Sequence, residues 1–185
     1  MPASRGSQTI HIGPHSSIEQ MNESALPRPG ELGQAFVADT GKAYQLVRLD
    51  SGATASAPSG VVAAGDLAFW KDKSAYLVTP DLGQAAASES SNQSSKRNMV
   101  AGVFTIAATA GNYCVIQQQG RHAAVKSDGG GDFVAGDLAI AKNTAASDID
   151  RVAAGTAASH TCIGIVAAAE SAGFTAVDLD LPVVP

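Results

Sequence analysis

From Gly33 onward the apolar positions fall in short runs with a period near two, punctuated by Gly, Asp, Asn and Ser. That pattern predicts strands and turns and leaves little room for helix in the body. Q-A-F-V-A, then D-T-G-K, then A-Y-Q-L-V-R-L predicts a hairpin. In F-T-A-V-D-L-D-L, Val177, Leu179 and Leu181 alternate with Asp178 and Asp180, which predicts a strand with one face on the core and one in water. Y-C-V-I-Q-Q-Q is less regular, and Gln117 to Gln119 at its end predict an edge or an interface. The residues that follow, G-R-H-A-A-V-K-S-D-G-G-G-D, predict a returning strand and a glycine-rich turn.

Two landmarks recur. A-G-D-L-A stands at Ala64–Ala68 and at Ala135–Ala139. Gly102 to Gly111 and Gly164 to Gly173 share a nine-residue step, each predicting a strand that enters a hairpin. The offsets differ, 71 from Gly65 to Gly136 and 62 from Gly102 to Gly164, so the first unit carries nine extra residues. The Ser-rich stretch 83–97 accounts for them, because its composition cannot bury enough surface to fix a core element. An internal duplication is therefore expected, with repeats at about 60–120 and 130–182 and an exposed loop at 83–97. The expected fold is all-β, a short-stranded β-barrel or β-sandwich-like body over residues 31–185.

Residues 1–30 read as an extended N-terminal arm. Ser16 with Glu19 and Ser17 with Gln20 have capping-box spacing, which predicts a short helix over about Ile18 to Ala25 before Pro27. A helix that short needs a partner surface, and the arm offers only Ile10, Ile12, Ile18, Met21 and Leu26 to bury. These five are the expected partner-binding residues of the arm.

Composition narrows the function. A chain of 185 residues can build a real core, but with 5% aromatics that core is made mostly of Ala and Val. Nineteen glycines and eight prolines interrupt helical runs. The net charge is −5 and the longest basic stretch is Lys96-Arg97, so no nucleic-acid partner is expected. No apolar run approaches the ~20 residues that cross a bilayer, and the N-terminal residues lack signal-peptide order, so neither a membrane partner nor signal-directed secretion is expected. Cys114 and Cys162 are too few for a disulfide framework and read as buried thiols inside strands.

The search for chemistry returns weak signals. His11 and His15 are spaced i, i+4, but Gly13 and Pro14 between them oppose the helix a metal pair would need. His122 and His160 fall in separate strands, where a locally bonded imidazole is the commoner role. No G-x-S-x-G elbow marks a nucleophile. Gly129-Gly130-Gly131-Asp132 lacks the G-K-[ST] ending of a phosphate loop, and Asp128, Asp132 and Asp137 lack EF-hand spacing. Trp70 beside Phe69 offers one ring to the core and one outward as a contact anchor, and Trp70 joins the five arm residues as an expected partner-binding residue; two differently buried core rings are the alternative. The expectation is a non-enzymatic protein with no catalytic residues, no metal and no cofactor.

V-A-G-V-F-T-I-A-A-T-A-G-N-Y-C-V-I-Q-Q-Q-G-R, from Val100 to Arg121, resembles the strand-hairpin-strand of lambda-type capsid decoration proteins of tailed phages. The A-G-D-L-A units and G-x-x-F-x-x-x-x-G-K-x-Y-x-L-V from Gly33 to Val47 are similar to segments of small phage head proteins. The resemblance implies a β-body seated on the outer surface of a virion capsid and assembled in the host cytoplasm. It further implies a major capsid protein as partner, homo-oligomerisation with a trimer favoured and a dimer possible, and an arm reaching over the shell. The greater length and expected duplication depart from the simplest pattern of that family. The alternative is a tail- or fibre-associated module that recognises a host surface glycan or protein through Trp70, Phe69 and the Ser-rich loop.

Overall fold

A computed structural model describes residues 32–38, 41–53, 61–82, 99–127, 129–141, 148–153 and 162–181. The helix expected over Ile18 to Ala25, the rest of the arm 1–30 and the Ser-rich loop 83–97 lie outside the described residues. Among the described residues the protein is all-β. Its strands are β1 (Ala35–Val37), β2 (Ala43–Leu49), β3 (Val61–Val62), β4 (Leu67–Asp72), β5 (Leu77–Thr79) and β6 (Val100–Phe104). They continue as β7 (Ala108–Thr109), β8 (Tyr113–Lys126), β9 (Leu138–Ala141), β10 (Ile149–Val152), β11 (Cys162–Val166) and β12 (Phe174–Asp180).

β1 and β2 form the hairpin that the sequence predicts, with Phe36 opposite Tyr44 and their rings stacked 5.4 Å apart. From β2 the pairing runs through β5 (parallel), β4, β6 and the first half of β8, and β8 then pairs back onto β2. That circuit is a closed five-stranded barrel, which leaves none of its own strands as an edge. The second half of β8 begins a second circuit through β12, β11, β9 and β10. It closes by a single parallel bridge between Ser127 and Ile149.

The two circuits follow one pattern. Leu49 lies parallel to Val78 in the first, as Ser127 lies parallel to Ile149 in the second. Leu67 and Ala68 pair with Val103 and Gly102, and Leu138 and Ala139 pair with Ile165 and Gly164. A bulge follows at the same point in each, skipping Ala101 in one and Ile163 in the other. Each A-G-D-L-A segment opens the equivalent strand. Asp66 accepts the Ala63 N–H at 2.9 Å, and Asp137 accepts the Val134 N–H at 3.0 Å, so each turn is fixed by the same side-chain cap.

Sequence periodicity misplaces one element. The residues after Gln119 do not return as a separate strand; they continue β8, which is 14 residues long. Gly120 has φ +80°, a conformation that lets one strand leave the first circuit and enter the second without a hairpin. Nor are Gln117 to Gln119 an edge. β8 has a strand on both sides there, and Gln117 and Gln118 are buried. Gln118 Nε2 donates to Gln45 Oε1 at 2.9 Å and to Ala101 O at 3.2 Å, while Gln45 Nε2 donates to Gly33 O at 2.8 Å. These amides close one end of the barrel by bonding one another and the backbone, which offsets the cost of burying them.

β4 shows how the cores divide. Ala68 and Trp70 point into the barrel with Val47, Phe104 and Ile116, while Leu67 and Phe69 point out of it. The outward pair packs with Val125, Ile149, Ile163 and Val177, so the second circuit is filled partly by the outside of the first. β12 keeps its predicted alternation: Val177, Leu179 and Leu181 are buried, Asp178 and Asp180 exposed.

Gly102 and Gly164 sit where neighbouring strands leave no room. A Cβ would meet Gln117 O at 2.7 Å in the first case, and in the second would fall closer still to Asp178 O. Gly102→Ala and Gly164→Ala are each expected to lower unfolding free energy by about 2–3 kcal/mol, since backbone and not a flexible side chain must move. Urea titrations check this; unchanged midpoints would contradict the pairing described.

Candidate functional site

Several charged side chains of the body are committed to its architecture. Asp66 is buried beside Lys126, with Nζ 3.4 Å from Oδ1, and this pair joins the first A-G-D-L-A turn to the end of β8. Asp137, also buried, lies 3.4 Å from Arg151 Nη1, and Arg151 Nε is 2.8 Å from Asp132 Oδ2. Lys71 pairs with Asp50 across β4 and the end of β2. Arg121 binds Asp178 with two bonds, 2.9 and 3.1 Å, across the exposed face of β8 and β12. That pair holds the Asp178 carboxyl below the usual range and the Arg121 guanidinium above it. Fully solvated pairs of this kind contribute little to stability, and their clearest effect is to fix strand register.

The sequence candidates settle as follows. Trp70 is not an outward anchor: it is 2% exposed and lines the barrel, while Phe69 faces the other core. The two rings do point opposite ways, but both sides of β4 are covered, so the alternative of two differently buried core rings holds. Ile10, Ile12, Ile18, Met21 and Leu26, with His11, His15 and His160, lie outside the described residues. Asp132 and Asp137 meet through Arg151, Asp128 lies outside the described residues, and no acidic or histidine cluster with metal-ligand geometry forms among the described residues. The glycine-rich turn is pinned by Glu170, which accepts from Ser127 Oγ at 2.6 Å and from the Gly131 N–H at 2.7 Å. A carboxylate already occupies that backbone donor, the opposite of a phosphate cradle.

Both cysteines are in strands and free. Burial pushes the Cys114 thiol up to about 12, so its thiolate is scarce at neutral pH. His122, half-buried on β8 opposite Val177, is pushed down to about 4, first by burial and then by Lys42. It is neutral at pH 7.

What remains available is surface. β1 is one end of the ten-stranded sheet, and among the described residues no strand pairs with its outer side. Ala38 donates to Lys42 O and Leu46 donates to Gln34 O, so alternation turns the N–H and C=O of Ala35 and Val37 to that open side. The Val37 side chain is 73% exposed. This edge immediately follows the segment whose apolar residues are the expected partner-binding set. No residue pattern marks this edge, because a strand's place in the order is not written in its own residues. No known protein family, curated protein or solved structure matches this chain.

Two outcomes follow. Cys114 should resist a thiol reagent in the native protein and react on unfolding; fast native labelling of Cys114 would contradict its burial. His122 should make stability pH-dependent. The unfolded chain takes up the imidazole proton near pH 6.5 and the folded chain only near 4, so stability is full above about 6.5 and falls as the pH drops to about 4. The loss is about 2 kcal/mol, discounted for partial solvent exposure. Urea midpoints of wild type and His122→Gln across that window check it; parallel profiles would contradict it.

Proposed function

We propose that this protein is a structural component of a phage virion that binds the major capsid protein and stabilises the outer surface of the shell. The observation that carries this reading is the open edge of β1 directly following the N-terminal segment. A shell protein can add a strand to such an edge, with backbone bonds supplying affinity. The Ile10, Ile12, Ile18, Met21 and Leu26 side chains extend the contact over the shell. Many copies on a symmetric lattice make each weak contact count, because a ligand that binds only the assembled shell stabilises it by mass action. The two-circuit body suits this role as a spacer whose turns are held by Asp66, Asp137 and Glu170. With Trp70 and Phe69 both inside, the aromatic platform that favoured a host-recognition module is gone, and that reading has no observation of its own.

Co-sedimentation with undecorated heads tests the proposal. Full-length protein is expected to bind saturably and to raise the temperature at which heads release DNA. Removal of residues 1–30 should abolish binding. Val37→Pro removes an outward N–H without touching the β1–β2 bonds, and should weaken binding about tenfold, the worth of one to two backbone hydrogen bonds. No binding to heads, or retention on host cells instead, would overturn it.

A further inference from the structure

The repeated pairing pattern allows the outside of one circuit to be compared with the outside of the other, position by position. On the first, the outward residues of β4 and β6 are Leu67, Phe69, Val100 and Val103, all 2% exposed or less because the second circuit packs over them. Their counterparts by strand register on β9 and β11 are Leu138, Ile140, Cys162 and Ile165. All four are apolar again. Here, however, nothing among the described residues lies over the face as the second circuit lies over the first: Ile165 is 51% exposed, Leu138 and Cys162 are half-covered, and only Ile140 is buried. The neighbouring strand shows the contrast, since β12 places Asp178 and Asp180 outward. The chain therefore uses polar side chains where this sheet meets water and apolar ones on β9 and β11, as on a face meant to be covered.

The register also fixes what surrounds these residues. Reading straight across the sheet, Arg121 pairs with Asp178, Asp178 with Ile165, Ile165 with Leu138, and Leu138 with Val152. One row thus carries a cation, an anion and three apolar side chains. In a chain of net charge −5, this row is neutral and has its own complement in the ion pair at its end. A patch of that kind suits a copy of itself: turned about a two-fold axis that runs along the row, the apolar residues meet and Arg121 of one row lies one strand to the side of Asp178 of the other, within reach of a long side chain.

We propose that the outer face of β9 and β11, centred on Ile165 and Leu138 and rimmed by Arg121 and Asp178, is the seam between two copies of this chain. This inference does not depend on the capsid reading, and its test uses the protein alone.

Sedimentation velocity of the full chain from about 1 to about 100 µM spans the affinities of modest symmetric interfaces. The wild type is expected to reach a multiple of 18.6 kDa. Ile165→Glu should raise the apparent Kd at least about tenfold, whereas Ala75→Glu, at an exposed site in the turn between β4 and β5 and outside the seam, should leave it unchanged. Asp178→Arg should weaken association, and adding Arg121→Asp should restore it; this charge-swap series reads the same seam should Ile165→Glu fail to fold. A chain that is monomeric throughout, or an oligomer indifferent to these changes, would overturn the proposal. So would a full-length monomer that associates once residues 1–30 are removed, because the face would then belong to the arm.

Discussion

One strand holds this protein together. β8 supplies a wall of the closed barrel with its first half and a wall of the second circuit with its second half, and the change of allegiance takes place at Gly120. The glutamines before that glycine secure the crossing. Gln118 is fixed inside the barrel by Gln45 and the Ala101 carbonyl, its own carbonyl accepts the Leu181 N–H, and Gln117 Nε2 caps the carbonyls of Gln119 and Gly120. A strand paired with β2 and β6 in its first half and with β12 in its second cannot slip by one residue without turning residues of two cores outward. Everything else in the order of strands follows from that.

The same economy explains where function can reside. Asp66, Asp137, Lys126, Arg151 and Glu170 hold turns and strand ends, burial raises the Cys114 thiol, and burial keeps His122 neutral within the sheet. Groups held in this way stabilise a frame. Among the described residues, the surfaces left open are the outer side of β1 and the apolar outer face of β9 and β11, and the two proposals rest on these.

Much of the fold was legible from period and punctuation. The β1–β2 hairpin follows from D-T-G-K between two alternating runs, and β12 from Val177, Leu179 and Leu181 set against Asp178 and Asp180. Gly102 and Gly164 were visible as landmarks, and their reason is the close approach of Gln117 and Asp178 carbonyls. The length of β8 was not legible, because Gly120 reads as a turn signal in sequence and only its neighbours reveal it as a crossing. Polar Gln117 to Gln119 misled for a related reason: amides that donate to a neighbouring strand's amide and to backbone carbonyls look, in one dimension, like amides that face water. That Trp70 and Phe69 face opposite ways was legible, but no local pattern tells that both sides of β4 are covered, so Trp70 is buried where an outward contact was expected. The candidate surfaces were the least legible of all, since an edge and an uncovered face are properties of strand order.

Electron cryomicroscopy of undecorated heads incubated with the full chain addresses the central claim most directly. The account predicts density for the β-body on the outer surface of the shell, with the open side of β1 turned toward the major capsid protein and an additional strand alongside it. A shell without added density, or a body that contacts the capsid with the β1 edge facing solvent, would contradict it.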